Sequence, residues 1–138
     1  GLAKWHKSLM DGVMKMNIVQ TPSGRQYEWP NAKRYGNGRI SNATAVVNYP
    51  VQGFGNDLVQ LSCIRAQRRF KELNLQSRII LTVHDSLVCD THPDEVQDVN
   101  DALKWAMTGV LEEASERWGH EFVLPLSIEI ESGKTWLQ

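Results

Sequence analysis

The sequence predicts an α+β fold in which long helices pack on one face of a small antiparallel sheet. Two observations predict it: apolar residues recur at helical spacing in three segments, and apolar runs flank two tight turns in the manner of β-hairpins. The elements follow in the order helix, hairpin, long helix, hairpin, long helix, strand. This order, with the strands in antiparallel hairpins, is typical of the α+β class.

The first part of the chain is predicted to form a helix, a hairpin and a loop. Apolar residues from Leu2 to Met16 recur at helical spacing and indicate an amphipathic helix. Pro22 and Gly24 favour the turn of a first hairpin, because proline presets φ and glycine accepts positive φ. A basic loop without regular structure is expected over residues 30–38.

The rest of the chain is predicted to hold two long helices and a final strand. The helical pattern from residue 42 to about residue 73 is expected to be interrupted at Pro50, because proline lacks the N–H that a helix interior needs. Pro93 and Gly119 are typical of the start and the end of the next helix. The final strand, Phe122 to Glu131, is expected to join the second hairpin in the sheet.

Length and composition indicate one ordinary globular domain. The chain has 138 residues, of which 41% are hydrophobic and 22% are charged. It contains no run of about 18 apolar residues, so no membrane-spanning segment is expected. Cys63 and Cys89 lie in apolar segments, which favours core thiols in a reducing compartment such as the cytoplasm over a disulfide or a metal pair.

Charge is distributed unevenly along the chain. Residues 1–93 hold 12 Lys and Arg against 6 Asp and Glu, whereas residues 94–138 hold 3 against 10. A basic part beside an acidic part favours one surface that faces a polyanion. The alternative is a surface with uneven charge and no functional meaning.

His84 and Asp85 form the turn of the second predicted hairpin. A two-residue hairpin turn favours Asn-Gly, Asp-Gly or Gly-Gly, because the central residues need positive φ. His-Asp is a poor choice by that rule, and local preferences are most often broken at functional sites. A carboxylate on a rigid hairpin is well suited to bind a metal ion. We therefore treat this turn as the first candidate site.

Three segments together resemble the C-terminal palm region of family A DNA polymerases, the DNA polymerase I type. They are, in chain order, Asn48-Tyr-Pro-Val-Gln52-Gly, Val83-His-Asp-Ser86 and Glu131-Ser-Gly-Lys-Thr-Trp136. In that family the aspartate of Val-His-Asp is one of two carboxylates that hold the catalytic Mg²⁺ ions. The resemblance therefore implies that Asp85 is a metal ligand and a catalytic residue, and that His84 lies against the primer end. The alternative for His84 is a histidine bonded to the backbone at the hairpin tip.

The resemblance also implies DNA-binding residues. Asn48 and Gln52 match family amides that touch the minor groove, where hydrogen-bond acceptors are shared by all correct base pairs. The alternative is two solvated amides near a helix start. Lys33, Arg34 and Arg39 are expected to neutralise duplex phosphates, although three basic residues are common in a surface loop. Three further arginines are expected on a solvated helix face: Arg65, Arg68 and Arg69.

The chain departs from the family pattern at three places. Ser86 follows His-Asp where the family usually has glutamate, which removes an acidic group beside the metals. Thr44 lies near the place where many members have an arginine that meets the template. Phe54-Gly55-Asn56 replaces a more usual run of small residues. These departures affect the expected geometry of primer binding, not the expected fold.

The resemblance implies a single domain over residues 1–138, the C-terminal palm part of such a polymerase. Residues 1–41 would hold the post-fingers helix, the hairpin and the basic loop, and residues 42–138 the palm helices and sheet. The implied function is template-directed addition of deoxynucleotides to a primer 3′ end by two-metal phosphoryl transfer. The implied partners are primer-template DNA and deoxynucleoside triphosphates.

Two family elements have no counterpart in the sequence. One is the Asp-x-Ser strand that supplies the second metal carboxylate, and the other is the Arg-x-x-x-Lys-x-x-x-Phe-Gly helix that binds the triphosphate. We therefore expect the chain to be inactive without the N-terminal half of the polymerase, either removed or present as a separate chain, as in a split phage enzyme. The incomplete sheet is expected to expose an edge or apolar face through which the chain forms homo-oligomers.

Two other classes of function compete with the polymerase. A non-catalytic module that binds DNA or a polymerase subunit is favoured by Ser86 and by the missing carboxylate. A small metal-dependent hydrolase would use His84, Asp85 and His92. Capping of the helix that begins at Pro93 is the simpler role for His92, so the hydrolase ranks last.

Overall fold

The computed structural model describes residues 1–135 and confirms the α+β class. Its elements are α1 (Leu2–Met16), β1 (Ile18–Gln20), β2 (Gln26–Glu28), α2 (Ala43–Glu72), β3 (Arg78–Val83), β4 (Ser86–Asp90), a 3-10 helix (Pro93–Glu95), α3 (Val96–Thr108) and α4 (Val110–Trp118). The chain divides into two compact units, residues 1–57 and residues 58 onward, with the boundary inside α2. The single domain with an internal boundary after residue 41 stays a prediction. Within the described part, no helix is both long and apolar enough to cross a membrane.

The first unit is built around a small apolar cluster. Val13 of α1, Val19 of β1, Ile40 of the loop before α2 and Val46 of α2 are buried together. Asn17 caps the C-terminus of α1, and its φ of 58° lies in the left-handed region that asparagine tolerates. β1 and β2 pair antiparallel, as the sequence predicts.

The expected interruption of the long helix at Pro50 is wrong. α2 begins at Ala43 and runs through Pro50 without a break. Pro50 is buried, and Val46 lies fully buried one turn before it. Burial of this side of α2 therefore outweighs the loss of one backbone donor, because packing contributes more to helix stability in proteins than local preference does.

The second unit holds two apolar clusters, to both of which α2 contributes. The first combines Ala66 and Phe70 of α2 with buried residues of α3, and β3 and β4 pack against it through Ile79, Leu87 and Cys89. The second combines Leu61 of α2 with buried residues of α4, namely Val110, Leu111 and Ala114. The second part of α2 thus packs against α3 in one cluster and against α4 in the other.

The predicted long helix after Pro93 is divided into three parts. Residues Pro93–Glu95 form a 3-10 helix, and Gly109 separates α3 from α4. A Cβ atom at Gly109 would lie 3.0 Å from Nη2 of Arg65, so the break occurs where the arginine needs the space. The predicted end at Gly119 is confirmed, since its φ of 69° closes α4 in the left-handed region.

The expectation that Arg65 belongs to a solvated face is wrong. Only 8% of Arg65 is exposed. Its Nε donates to the carbonyl of Ala106 at 3.1 Å, its Nη1 pairs with Glu113 at 3.1 Å, and its guanidinium lies 4.4 Å from the centre of the Trp105 ring. Glu113 also binds Arg117 and Arg68. Arg65 thus satisfies a carbonyl and a carboxylate between helices.

The predicted C-terminal strand is not formed. Residues 120–133 carry neither helix nor strand, and Pro125 interrupts the segment. Within the described range, β3 and β4 form a two-stranded sheet to which no third strand is bonded. A strand requires a partner for its backbone groups, and proline removes one donor from any ladder. Trp136, the last residue of the C-terminal motif, lies outside the described residues.

Replacing Arg65 with leucine is expected to lower the free energy of unfolding by about 2–3 kcal/mol, because the carbonyl of Ala106 loses its partner in a buried site. Arg69→Leu is the matched control on the same helix, since Arg69 is half-exposed and pairs with Glu72. We expect the control to change stability by less than about 0.5 kcal/mol. Urea unfolding of both variants checks the prediction, and equal losses would contradict it.

Candidate functional site

The second hairpin has the tight turn that the sequence predicts. Val83 of β3 pairs with Ser86 of β4, so His84 and Asp85 alone form the turn. His84 has a φ of 53°, in the left-handed region that costs a non-glycine residue about 1 kcal/mol or more. The strand pairing on either side imposes this conformation, because the local sequence does not favour it.

Asp85 and His84 present their side chains to solvent. Both residues are exposed. Among residues 1–135, the Asp85 carboxylate makes no ion pair and accepts no side-chain hydrogen bond, and the His84 ring makes no hydrogen bond to the backbone. The turn therefore holds an accessible carboxylate beside an accessible imidazole, both available to a ligand.

Glu95 binds the residues that lead into this hairpin. The Glu95 carboxylate accepts hydrogen bonds from the backbone N–H of Gln76 at 2.9 Å and of Ser77 at 2.9 Å, and from the Ser77 hydroxyl at 2.6 Å. The Ser77 hydroxyl accepts in turn from the N–H of His92. The bond from Gln76 and then those from Ser77 lower the pKa of Glu95 below its ordinary value of 4.5. Two side chains thus hold the hairpin: Glu95 binds the segment before β3, and Ser77 links that segment to His92 after β4.

Asn48 and Gln52 lie one turn apart on α2 in the first unit. Both side chains are exposed, and their spacing of four residues places them on one face of the helix. The helix is continuous through both positions, since the interruption predicted at Pro50 does not occur.

The basic loop contributes fewer unpaired cations than its sequence suggests. Arg34 pairs with Asp11 of α1 at 2.8 Å and donates to the carbonyl of Gly38 at 3.4 Å. Lys33 and Arg39 are exposed, and within residues 1–135 their side chains form no ion pair. An isolated bridge between Arg34 and Ile40 holds the loop closed.

The described residues do not assemble a complete metal site. No group of three or more His, Cys, Asp or Glu side chains within residues 1–135 is placed to hold an ion. His92 accepts a hydrogen bond from the N–H of Asp94 at 3.3 Å, which is the capping role that the sequence favours over metal binding. The hydrolase alternative therefore lacks its ligands in this part of the chain.

Asp57 of α2 lies in a polar cluster that was not predicted from the sequence. Asp57 accepts from the Ser23 hydroxyl, and the Arg25 guanidinium binds both of its carboxylate oxygens. Burial opposes ionisation of this carboxyl, but hydrogen bonds from Arg25 and Ser23 and the charge of Arg25 outweigh it and lower the pKa of Asp57. The cluster joins the turn of the first hairpin to α2.

Gly53 of α2 also lies where the first hairpin contacts this helix. A Cβ atom at Gly53 would overlap the Tyr27 hydroxyl oxygen and lie 2.9 Å from Cζ of that ring. Glycine costs about 1 kcal/mol relative to alanine inside a helix, so a close approach is its physical reason here. Gly53 within a long helical pattern was the one sequence signal that pointed to this contact.

The family model described as DNA polymerase family A matches residues 1–138. The chain belongs to DNA polymerase family A. The match covers both candidate sites, the hairpin turn with Asp85 and the α2 face with Asn48.

Curated relatives of this family member come from bacteria and from a phage. The chain is 26% identical to the DNA polymerase I of Chloroflexus aurantiacus over 136 residues, which is 99% of this chain and 14% of that protein. It is 31% identical to the DNA polymerase of Bacillus phage SP01 over 136 residues, which is 98% of this chain and 15% of that protein. The chain thus spans about one-seventh of the length of these relatives.

A solved structure shows the same fold. The chain is similar to the POL domain of Pol1 from M. smegmatis, determined in complex with DNA primer-template and dNTP, with a TM-score of 0.69. Sequence identity is 24%, and the likeness covers 78% of this chain and 19% of that one. Most of the chain therefore shares the fold of that domain.

Glu95→Gln is expected to reduce stability at neutral pH and to have little effect in acid. The folded-state pKa of Glu95 is lowered, so its contribution is present above the unfolded value near 4.5 and is lost as the pH falls through the lowered pKa. Urea unfolding at several pH values measures this. Glu121→Gln, in the exposed segment after α4, is the control. A Glu95→Gln effect that is equally large at low pH would contradict the hydrogen-bond account.

Proposed function

We propose that this chain is the palm part of a template-directed DNA polymerase that adds deoxynucleotides to a primer 3′ end. The observation that supports this most is the exposed Asp85 carboxylate on a two-residue hairpin turn, in a chain that belongs to DNA polymerase family A. In this proposal primer-template DNA and deoxynucleoside triphosphates are the partners, and the cytoplasm of a bacterium or phage-infected host is the location.

Asp85 would contribute one carboxylate to a Mg²⁺ site. Magnesium favours oxygen ligands from one or two carboxylates together with phosphate oxygens and water, and an accessible, unpaired aspartate fits that set. Bound Mg²⁺ would offset the negative charge of the transferred phosphoryl group. The hairpin holds the Asp85 carboxylate in place, and His84 would contact the primer end from the same turn.

The minor-groove and phosphate contacts would come from the first unit. Asn48 and Gln52 share an exposed face of α2, and an amide there can donate to the acceptors that every correct base pair presents. Lys33 and Arg39 would meet duplex phosphates without reading sequence, whereas Arg34 would first have to leave Asp11.

We further propose that the chain alone does not extend primers. A two-metal site needs more carboxylate ligands than Asp85 supplies, and the described residues contain no group of three or more His, Cys, Asp or Glu side chains that could hold a metal ion. The relatives carry this region within much longer chains, so the remainder of the polymerase is the proposed source of the missing ligands.

The sheet of the second unit would dock that remainder of the polymerase. Ile80 of β3 is 61% exposed and Leu81 is 46% exposed, and the sheet has two strands within the described residues. Val123 and Leu124, in the segment without regular structure, are also exposed. Open strand edges with apolar side chains favour association. When the remainder is absent, we expect a second copy of the chain to cover these side chains.

Asp85→Asn is expected to lower kcat for primer extension by about 10²–10³-fold in the complete polymerase that contains this segment, because one metal ligand loses its charge. Asp90→Asn is the matched control, since Asp90 is an exposed carboxylate at the far end of the same strand. Single-turnover extension measures both. Equal activity of Asp85→Asn and the parent enzyme would overturn the catalytic assignment.

The isolated chain is expected to self-associate to an extent that increases with its concentration. Ile80→Lys is expected to reduce the associated fraction, because a charge at an exposed strand position opposes edge pairing. Sedimentation velocity over a hundredfold concentration range is the measurement. Lys104→Gln, a surface change on α3, serves as control. A strict monomer at high concentration would contradict the proposed surface.

The second candidate function is a non-catalytic module that binds DNA or a polymerase subunit. Ser86 at the position after His-Asp and the lack of a ligand cluster in the described residues favour it. Titration of Mg²⁺ against binding of primer-template DNA and nucleotide by the complete protein separates the two candidates. Metal-dependent ternary binding supports the polymerase, and metal-independent DNA binding supports the module.

A further inference from the structure

The first hairpin contacts α2 along three successive helical turns. In the first turn, the ring of Tyr49 lies 6.2 Å from the ring of Tyr27 and 5.7 Å from that of Trp29. In the second turn, the Tyr27 hydroxyl occupies the space that a Cβ atom at residue 53 would need. We name Tyr49, Gly53 and Asp57 the contact line, because a spacing of four residues aligns them on one side of the helix.

In the third turn, hairpin and helix are joined by an ion pair between Arg25 and Asp57. Nη2 of Arg25 pairs with Oδ1 of Asp57, and Nε of Arg25 lies 3.2 Å from both carboxylate oxygens. The Ser23 hydroxyl donates to Oδ2 and lies 2.7 Å from the Thr21 hydroxyl. The Asp57 side chain is only 12% exposed, so the pair is shielded from water on the carboxylate side. Bidentate pairing of this kind fixes direction as well as distance.

The proposed minor-groove amides stand directly beside the contact line. Asn48 precedes Tyr49 and Gln52 precedes Gly53 by one residue, which is about 100° around the helix. A side-chain tip about 5–6 Å from the helix axis moves by about 1 Å when the helix rotates by about 10°. The rotation of α2 about its own axis therefore decides where both amides point.

We infer that the first hairpin sets this rotation, and that Asp57 is a positioning residue through which Gln52 is held at the angle needed to contact the primer-terminal base pair. The inference rests on the proposed function and adds a residue that touches neither DNA nor nucleotide. Tyr27 and Gly53 fix the approach of hairpin and helix, while Arg25 and Ser23 hold the carboxylate that stops the helix from turning.

The first experiment measures position without DNA. Nitroxide labels at Gln26→Cys and Gln52→Cys, in a background with Cys63→Ser and Cys89→Ser, report the distance between hairpin and helix by pulsed electron paramagnetic resonance. Asp57→Asn keeps the shape of the side chain but places an amide against two donors. We expect the distance distribution to broaden or shift in Asp57→Asn. An unchanged distribution overturns the inference, whatever the enzyme does.

The second experiment is a double-mutant cycle in the complete polymerase. The quantity measured is the ratio of kcat/KM for matched and mismatched primer ends. We expect Asp57→Asn to reduce this ratio by about tenfold to a hundredfold, and to cause no further loss when Gln52→Ala is already present. Independent, additive losses would show a general structural effect and overturn the inference.

Matched controls separate the inference from the proposed function. Glu72→Gln breaks the exposed ion pair with Arg69 on the same helix and is expected to leave both the ratio and the label distance unchanged. If Gln52→Ala alone does not change the ratio, the minor-groove role in the proposed function fails. The label distances then still decide whether Asp57 positions residue 52.

Discussion

Burial of α2 is the constraint on which the rest of the chain depends. This 30-residue helix supplies Val46 to the cluster of the first unit, Leu61 to the cluster with α4, and Phe70 to the cluster with α3. The buried side changes along its length, because each part of the helix meets different elements. Pro50 is tolerated for the same reason: packing around it holds the helix where local preference would end it.

Local patterns in the sequence were sufficient for the elements that local physics controls. The first helix, both hairpins and the end of α4 at Gly119 follow from periodicity and turn chemistry, and the structure confirms them. The prediction of a C-terminal strand was wrong because an alternating apolar pattern does not specify a partner strand. The prediction that Arg65 is solvated was wrong because its partners, Glu113 and the carbonyl of Ala106, lie far away in sequence. A helical pattern alone does not indicate such partners.

In the candidate site, too, the local feature was predictable from the sequence and the contacts between distant residues were not. The His84-Asp85 turn was identified by a violated local rule, and its exposure agrees with a role in binding a ligand. The contacts that hold the surrounding residues were not predictable in this way. Glu95 reaches back 18 residues to Ser77, and Asp57 reaches back 34 residues to Ser23. Neither pairing leaves a periodic trace in the sequence.

The ion pair between Arg34 and Asp11 would change how the proposed affinity for DNA responds to ionic strength. A guanidinium that is already neutralised by a carboxylate displaces no condensed counterion when it approaches a phosphate. Each phosphate that is left without a protein cation removes about 0.9 from the magnitude of the slope of log affinity against log salt. A loop with three basic residues would then behave as a loop with two, so that its affinity for a duplex would be lower, and would vary less with salt, than its composition suggests.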